Sequence, residues 1–163
     1  MSTKNDSLLQ RVQSSYKQLA VAATNLNAAS DELGESISAL DAALKKLALG
    51  IPAWLRIARD EDQYGNYWGR HIGYAKVGTK WGIALSKTSG NENYPEQASD
   101  EEWLFNDAPR SLRIEAIDKI PDLLDTLISK AEETTKKIQD KSSEAKQLAA
   151  AISEVAQATP KRK

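Results

Sequence analysis

The sequence predicts an α+β fold, mainly α: a long antiparallel helical hairpin, a coiled coil, with a three- to four-stranded antiparallel β-meander inserted at its closed end. Three observations lead there. Nine of the ten aromatic residues lie between Ile51 and Asn106, with six of the eight glycines, whereas both flanks are rich in Ala, Leu, Lys, Glu and Ser. Each flank carries an apolar line that advances strictly in steps of three and four, the pattern of a heptad seam. The two lines also match when laid antiparallel. With Ala48 beside Pro121, the weak stretch at Ala23 and Ser30 falls opposite positions 146 and 139, and Asp6 meets Lys163.

The first segment, 1–50, reads as one long helix. Leu9, Val12, Tyr16, Leu19, Ala23, Leu26, Ser30, Leu33, Ile37, Leu40, Leu44 and Leu47 form its line, Asp6 or Ser7 caps its start, and Gly50-Ile51-Pro52 stops it. At about 1.5 Å per residue it is a rod of roughly 60 Å. The third segment, 107–163, opens with Asp107 as cap and Pro109 in the first turn. A short helix over about 108–119 leads to a break at Pro121, with a kink as the alternative, because an interior proline costs about 3 kcal/mol or more. A long helix then runs to about 157 on Ile117, Ile120, Leu124, Leu127, Ala131, Thr134, Ile138, Lys141, Ala145, Leu148, Ile152 and Val155. Small and apolar residues flank both lines, among them Ala22, Ala29, Leu123 and Ile128. A stripe widened in this way suits a bundle of several helices, so self-association is expected. The whole is expected to be one structural unit.

In the middle segment, 51–106, Ala53–Arg59 reads as a strand and Asp60–Asn66 as a turn. Tyr67–Val77 is a second strand, Gly78-Thr79-Lys80 a turn, and Trp81–Lys87 a third strand. Trp81, Ile83 and Leu85 share one face of the third strand. Thr88–Glu102 reads as a polar loop, and Trp103-Leu104-Phe105 as a fourth short strand or an anchor. Three strands are marginal alone, so Leu112, Ile114 and Ile117 are expected to cover them. The order helix, strands, helix resembles the plan of prefoldin-type chaperone subunits, in which coiled-coil tentacles extend from a β body; the resemblance covers the order of elements only and carries over no residue or activity.

The chain has 163 residues, 22 basic and 23 acidic groups, one His and no Cys. Without cysteine there are no disulfides, thiolate nucleophiles or zinc–thiolate sites, and near-neutral charge argues against a dedicated nucleic-acid binder. No apolar run approaches a membrane span, and the opening residues lack the apolar segment of a secretory signal, so no membrane association and a cytoplasmic location are expected. His71 has no orienting carboxylate near it in sequence, which makes it a poor general base. Asp60-Glu61-Asp62-Gln63-Tyr64-Gly65 imitates the start of a calcium loop, but Tyr64 and His71 occupy ligand places and strands flank it, so it reads as an acidic turn. Gly78-Thr79-Lys80-Trp81-Gly82 lacks phosphate-loop spacing. No catalytic set, metal site or cofactor is expected.

The aromatic cluster carries the most weight. Trp54, Tyr67, Trp68, Tyr74 and Trp81 alternate with Arg56, Arg59, Arg70, His71, Lys76 and Lys80. Trp, Tyr and Arg dominate protein interfaces, and rings beside cations also stack on bases. The candidate partner-binding residues are Trp54, Arg56, Tyr67, Trp68, Arg70, His71, Tyr74, Lys80 and Trp81. The candidate oligomer seam is Leu19, Leu26, Leu33, Ile37, Leu40, Leu124, Leu127, Ile138, Leu148 and Ile152, with Lys141 as a register-fixing polar residue. The expected function is that of a non-enzymatic, self-associating coiled-coil scaffold that presents the meander to an unknown protein partner. The alternative is a nucleic-acid-binding accessory protein that uses Arg56, Arg70, Lys76, Lys80 and exposed rings.

Overall fold

The structure, a computed structural model, describes residues 2–162; Met1 and Lys163, the last residue of the basic tail, lie outside the described residues. Helix α1, Ser2–Lys46, places Lys45 and Lys46 in its last turn, where cations complement the helix dipole. It closes on tight bonds from Leu47 N–H to the Leu44 carbonyl and from Ala48 N–H to the Lys45 carbonyl, and Ala48 takes a left-handed φ of 49°.

Four antiparallel strands follow in the order β1-β2-β3-β4: β1 Ala53–Glu61, β2 Asn66–Val77, β3 Lys80–Asn91 and β4 Tyr94–Leu104. Each hairpin turn is built by local chemistry. The Asp62 carboxylate accepts the backbone N–H groups of Tyr64 (2.8 Å) and Asn66 (3.0 Å), and Gly65 supplies φ 83°. Gly78, at φ 62°, turns β2 into β3. Asn91 accepts the Asn93 N–H at 2.8 Å and donates to Asn66 at 2.7 Å, joining the last turn to the first.

The expected polar loop at 88–102 is instead a hairpin, with β3 paired to β4 from Ala84↔Leu104 to Asn91↔Tyr94. The polarity of β4 follows from its place: an edge strand with charges, Pro95 and an irregular register resists pairing with other sheets. Hydrophobic alternation cannot announce such a strand.

One sheet face holds the core. Ala53, Ile72, Tyr74, Ile83 and Leu85 lie in one buried cluster with Ile37 and Leu44 of α1 and with Phe105 and Ala108. After a 3-10 turn at Phe105–Asp107, helix α2 (Arg110–Ala116) adds Leu112 and Ala116 to that cluster, and helix α3 (Ile120–Ala158) adds Leu123 and Leu127. Pro121 lies in the first turn of α3, where its missing N–H costs nothing. Ile114, expected to cover the sheet, points to solvent.

The expected helical hairpin does not form, and with it goes the tentacle arrangement implied by the prefoldin-like order. The strands stand between the two long helices and each helix docks on the sheet separately: α1 against β3 and the 3-10 turn, α3 against β1 and β2. Among the described residues no run of contacts joins α1 to α3. The sheet offers the larger apolar surface, and a straight helix lies on it with the 3.6 period rather than the 3.5 of a supercoil. In α3 this turns Leu123 to the core at 0% exposure and leaves the seam residue Leu124 at 38%. In α1 the seam residue Leu40 is likewise exposed, and its neighbour Asp41 faces inward instead. The Asp41 carboxylate accepts the Ile83 N–H at 2.6 Å, a group that β4 cannot reach because its pairing starts at Ala84.

Candidate functional site

The sheet divides the aromatic and basic cluster into two halves. On the helix-covered face, Tyr74 is buried and stacks on Trp81 with ring centroids 5.6 Å apart. Arg70 closes a fork on Glu115 of α2, with Nε at 2.8 Å and Nη2 at 3.1 Å from its two oxygens. Trp68 lies on the same side at the margin, 37% exposed. Tyr74, Trp81 and Arg70 thus hold the body together, and only Trp54, Arg56, Tyr67 and His71 of the candidate set stand on the outward face. Lys80 is exposed beside the β2–β3 turn.

The outward face is ordered in cross-strand rows. Trp54, Gly73, Ala84 and Leu104 form one row; Arg56, His71, Ser86 and Glu102 the next; Arg59, Gly69, Thr88 and Asp100 the third. A bulge between Arg56 and Ala58 shifts the register of β1, so Arg56 and Arg59, three apart, share this face. Glycine is required beneath the rings. A Cβ on Gly73 would stand 2.5 Å from the Trp54 indole, and one on Gly90 would stand 2.6 Å from the Tyr67 hydroxyl.

Arg56, Arg59, Tyr67, Gly69, His71 and Thr88 line a depression of about 340 Å³. The Arg59 guanidinium lies over the Tyr67 ring at 5.5 Å and makes only long contacts with Glu92 (3.7 Å) and Glu61 (3.9 Å). Burial and then the charge of Arg56 hold the His71 imidazole below its ordinary value of 6.5, while Asp100 pulls the other way. His71 therefore borders a concavity, yet its buried Nδ1 has no hydrogen-bond partner to orient it. A general base needs that orientation.

Arg59, Thr88, Asp100 and Glu102 belong to this face but were not among the candidates drawn from the sequence. The bulge hides the signal for Arg59, and Asp100 and Glu102 lie in the stretch whose sequence reads as a polar loop.

The helical seam also splits. Ile37 and Leu127 are buried in the body and Leu33 packs against it, but Leu19, Leu26, Leu40, Leu124, Ile138, Leu148 and Ile152 remain exposed. Every residue from Thr3 to Ala29, and from Thr135 to Ala158, faces solvent. Lys141 pairs with Glu144 at 2.9 Å on the exposed surface. Among the described residues no helix is long and apolar enough to cross a membrane. Comparison with protein families, with characterised proteins and with solved structures yields no match for this chain.

Proposed function

We propose that the protein is a non-enzymatic, self-associating interaction protein of the cytoplasm, whose projecting helices bind further copies and whose outward sheet face meets a partner. One observation carries this reading. The projecting parts of α1 and α3 keep large apolar residues at seam spacing in water, among them Leu19 at 64% and Ile152 at 70% exposure. Each projection extends about 35–40 Å at 1.5 Å per residue. Most helical stability in proteins comes from burying an amphipathic face, and these stretches bury none of theirs among the described residues. Scattered apolar surface residues are ordinary, but a continuous line of them marks an interaction surface.

Sedimentation equilibrium combined with far-ultraviolet circular dichroism tests the reading. The expected result is a dimer or larger species whose helicity falls as dilution separates the copies. A monomer that keeps its full helicity at all concentrations overturns it. No particular observation favours the nucleic-acid alternative: Arg70 is committed to Glu115, and Asp100 and Glu102 share the face with Arg56 and Arg59.

A further inference from the structure

The two edge strands carry opposite charges on the outward face, in matching rows. Reading outward from the core end, β1 presents Trp54, Arg56 and Arg59, and β4 presents Leu104, Glu102 and Asp100. Arg56, Glu102 and Asp100 take part in no ion pair among the described residues, and those of Arg59 are long and exposed, a kind worth little. Between them the central strands hold half-buried His71 and Thr88 and the small, buried groups Gly73, Ala84, Ser86 and Gly69.

We propose that this face docks on the same face of a second copy, about a two-fold axis that lies parallel to the strands between β2 and β3. That rotation sets β1 of one copy over β4 of the other without shifting the rows. Trp54 then meets Leu104, Arg56 meets Glu102 and Arg59 meets Asp100, and each contact occurs twice, as an isologous interface requires. A two-fold axis across the strands would instead set β1 over β1 and β4 over β4, opposing arginines with arginines and acids with acids. Charge therefore selects one of the two ways in which the sheets can stack. Four strands at about 4.8 Å spacing over eight residues of β1 give roughly 500 Å² per copy. The total of about 1,000 Å² reaches the size at which specific interfaces begin. The inference deepens the proposed self-association by naming the partner of the sheet face, and it rests on that reading.

The absence of cysteine from the chain makes a clean test possible. In the double variant Arg56→Cys/Glu102→Cys the two thiols of one chain are three strands apart, about 14 Å, so a short bis-maleimide can join them only between copies. The expected product is a covalent dimer from the double variant and none from Arg56→Cys alone. Cross-linking by Arg56→Cys alone, or none by the double variant, overturns the proposal. Sedimentation velocity supplies the second measurement. Arg56→Glu/Arg59→Glu is expected to weaken the sheet contact roughly tenfold or more, by placing like charges opposite each other, and adding Asp100→Arg/Glu102→Arg is expected to restore it. Charge variants that leave the mass unchanged but abolish binding of a labelled single-stranded oligonucleotide assign the face to nucleic acid and overturn the proposal. A monomeric wild type overturns both this and the proposed function, whereas self-association without the cross-link overturns this inference alone.

Discussion

The two ends of α1 obey the same heptad rule and have opposite fates. At the sheet end, Ile37 is 2% exposed and belongs to the core; 18 residues back along the helix, Leu19 is 64% exposed and lies outside the core cluster. The same contrast runs along α3, from Leu127 at 3% to Ile152 at 70%. A periodic apolar line states that a helix has something to bury. It does not state what covers it, and in this molecule the cover is the sheet for one half, while the other half is exposed with no cover among the described residues.

Substitutions at the two ends should break the symmetry of the pattern most visibly. Phe105→Ala or Leu123→Ala in the body is expected to cost about 2–5 kcal/mol, from lost burial plus the cavity left behind. Leu19→Ala, at a concentration where the chain is single, is expected to cost no more than about 0.5 kcal/mol. Guanidinium unfolding monitored by tryptophan fluorescence, which reads the body, separates them; similar losses at both positions would mean that the projecting half is covered.

The sheet supplies the next largest effect. Gly73→Ala drives a methyl into the Trp54 indole and the Ala53 carbonyl, and about 1–3 kcal/mol is expected from such overpacking. A shift of the Trp54 emission should accompany the lower unfolding midpoint.

Asp41 marks where the buried end of α1 meets the sheet. Asp41→Ala leaves the Ile83 N–H without its acceptor, an expected loss of about 1–3 kcal/mol. Burial holds the Asp41 carboxyl above its ordinary value of 3.8, against the Ile83 N–H and Lys45, which draw it down. The folded chain thus binds this proton more tightly than the unfolded chain does. The contribution is present at acid pH and is lost as the pH rises through the raised value. Asp41→Asn cannot ionise, so its urea midpoint should fall less than that of the wild type as the pH rises from just below 3.8 through the range above it.

The smallest effect is a gain. Ala48→Gly relieves a left-handed backbone at the end of α1 and should stabilise by about 1 kcal/mol, read as a rise in the thermal midpoint.

What was legible in the sequence was local. Gly78 at a turn, Pro121 in the first turn of a helix and the alternation of Trp81, Ile83 and Leu85 each express a constraint that acts within a few residues. The pairing of the two long helices was a long-range inference from two patterns that match, and it failed because the sheet competes for the same apolar residues. A slip of one position, Leu123 for Leu124 and Asp41 for Leu40, is all that separates a helix lying on a sheet from one wound on another helix. The outward face was half legible. Alternation placed Trp54 with Arg56 and Tyr67 with His71 on their own strands, but only the register joins the two pairs, Arg59 enters through a bulge, and Glu102 and Asp100 through a strand whose polarity disguised it.

The ties that hold α1 in place all reach far ahead along the chain. Asp41 grips Ile83, Gly34 and Ser38 receive Asn106, and Asn27 receives Arg110, over separations of 42 to 83 residues. Helix α1 therefore waits for its berth, because strand β3, Asn106 and α2 must all be synthesised before it can be moored. Until then its greasy side is bare along its whole length, and a nascent chain of this protein is at its most adhesive before its own sheet exists.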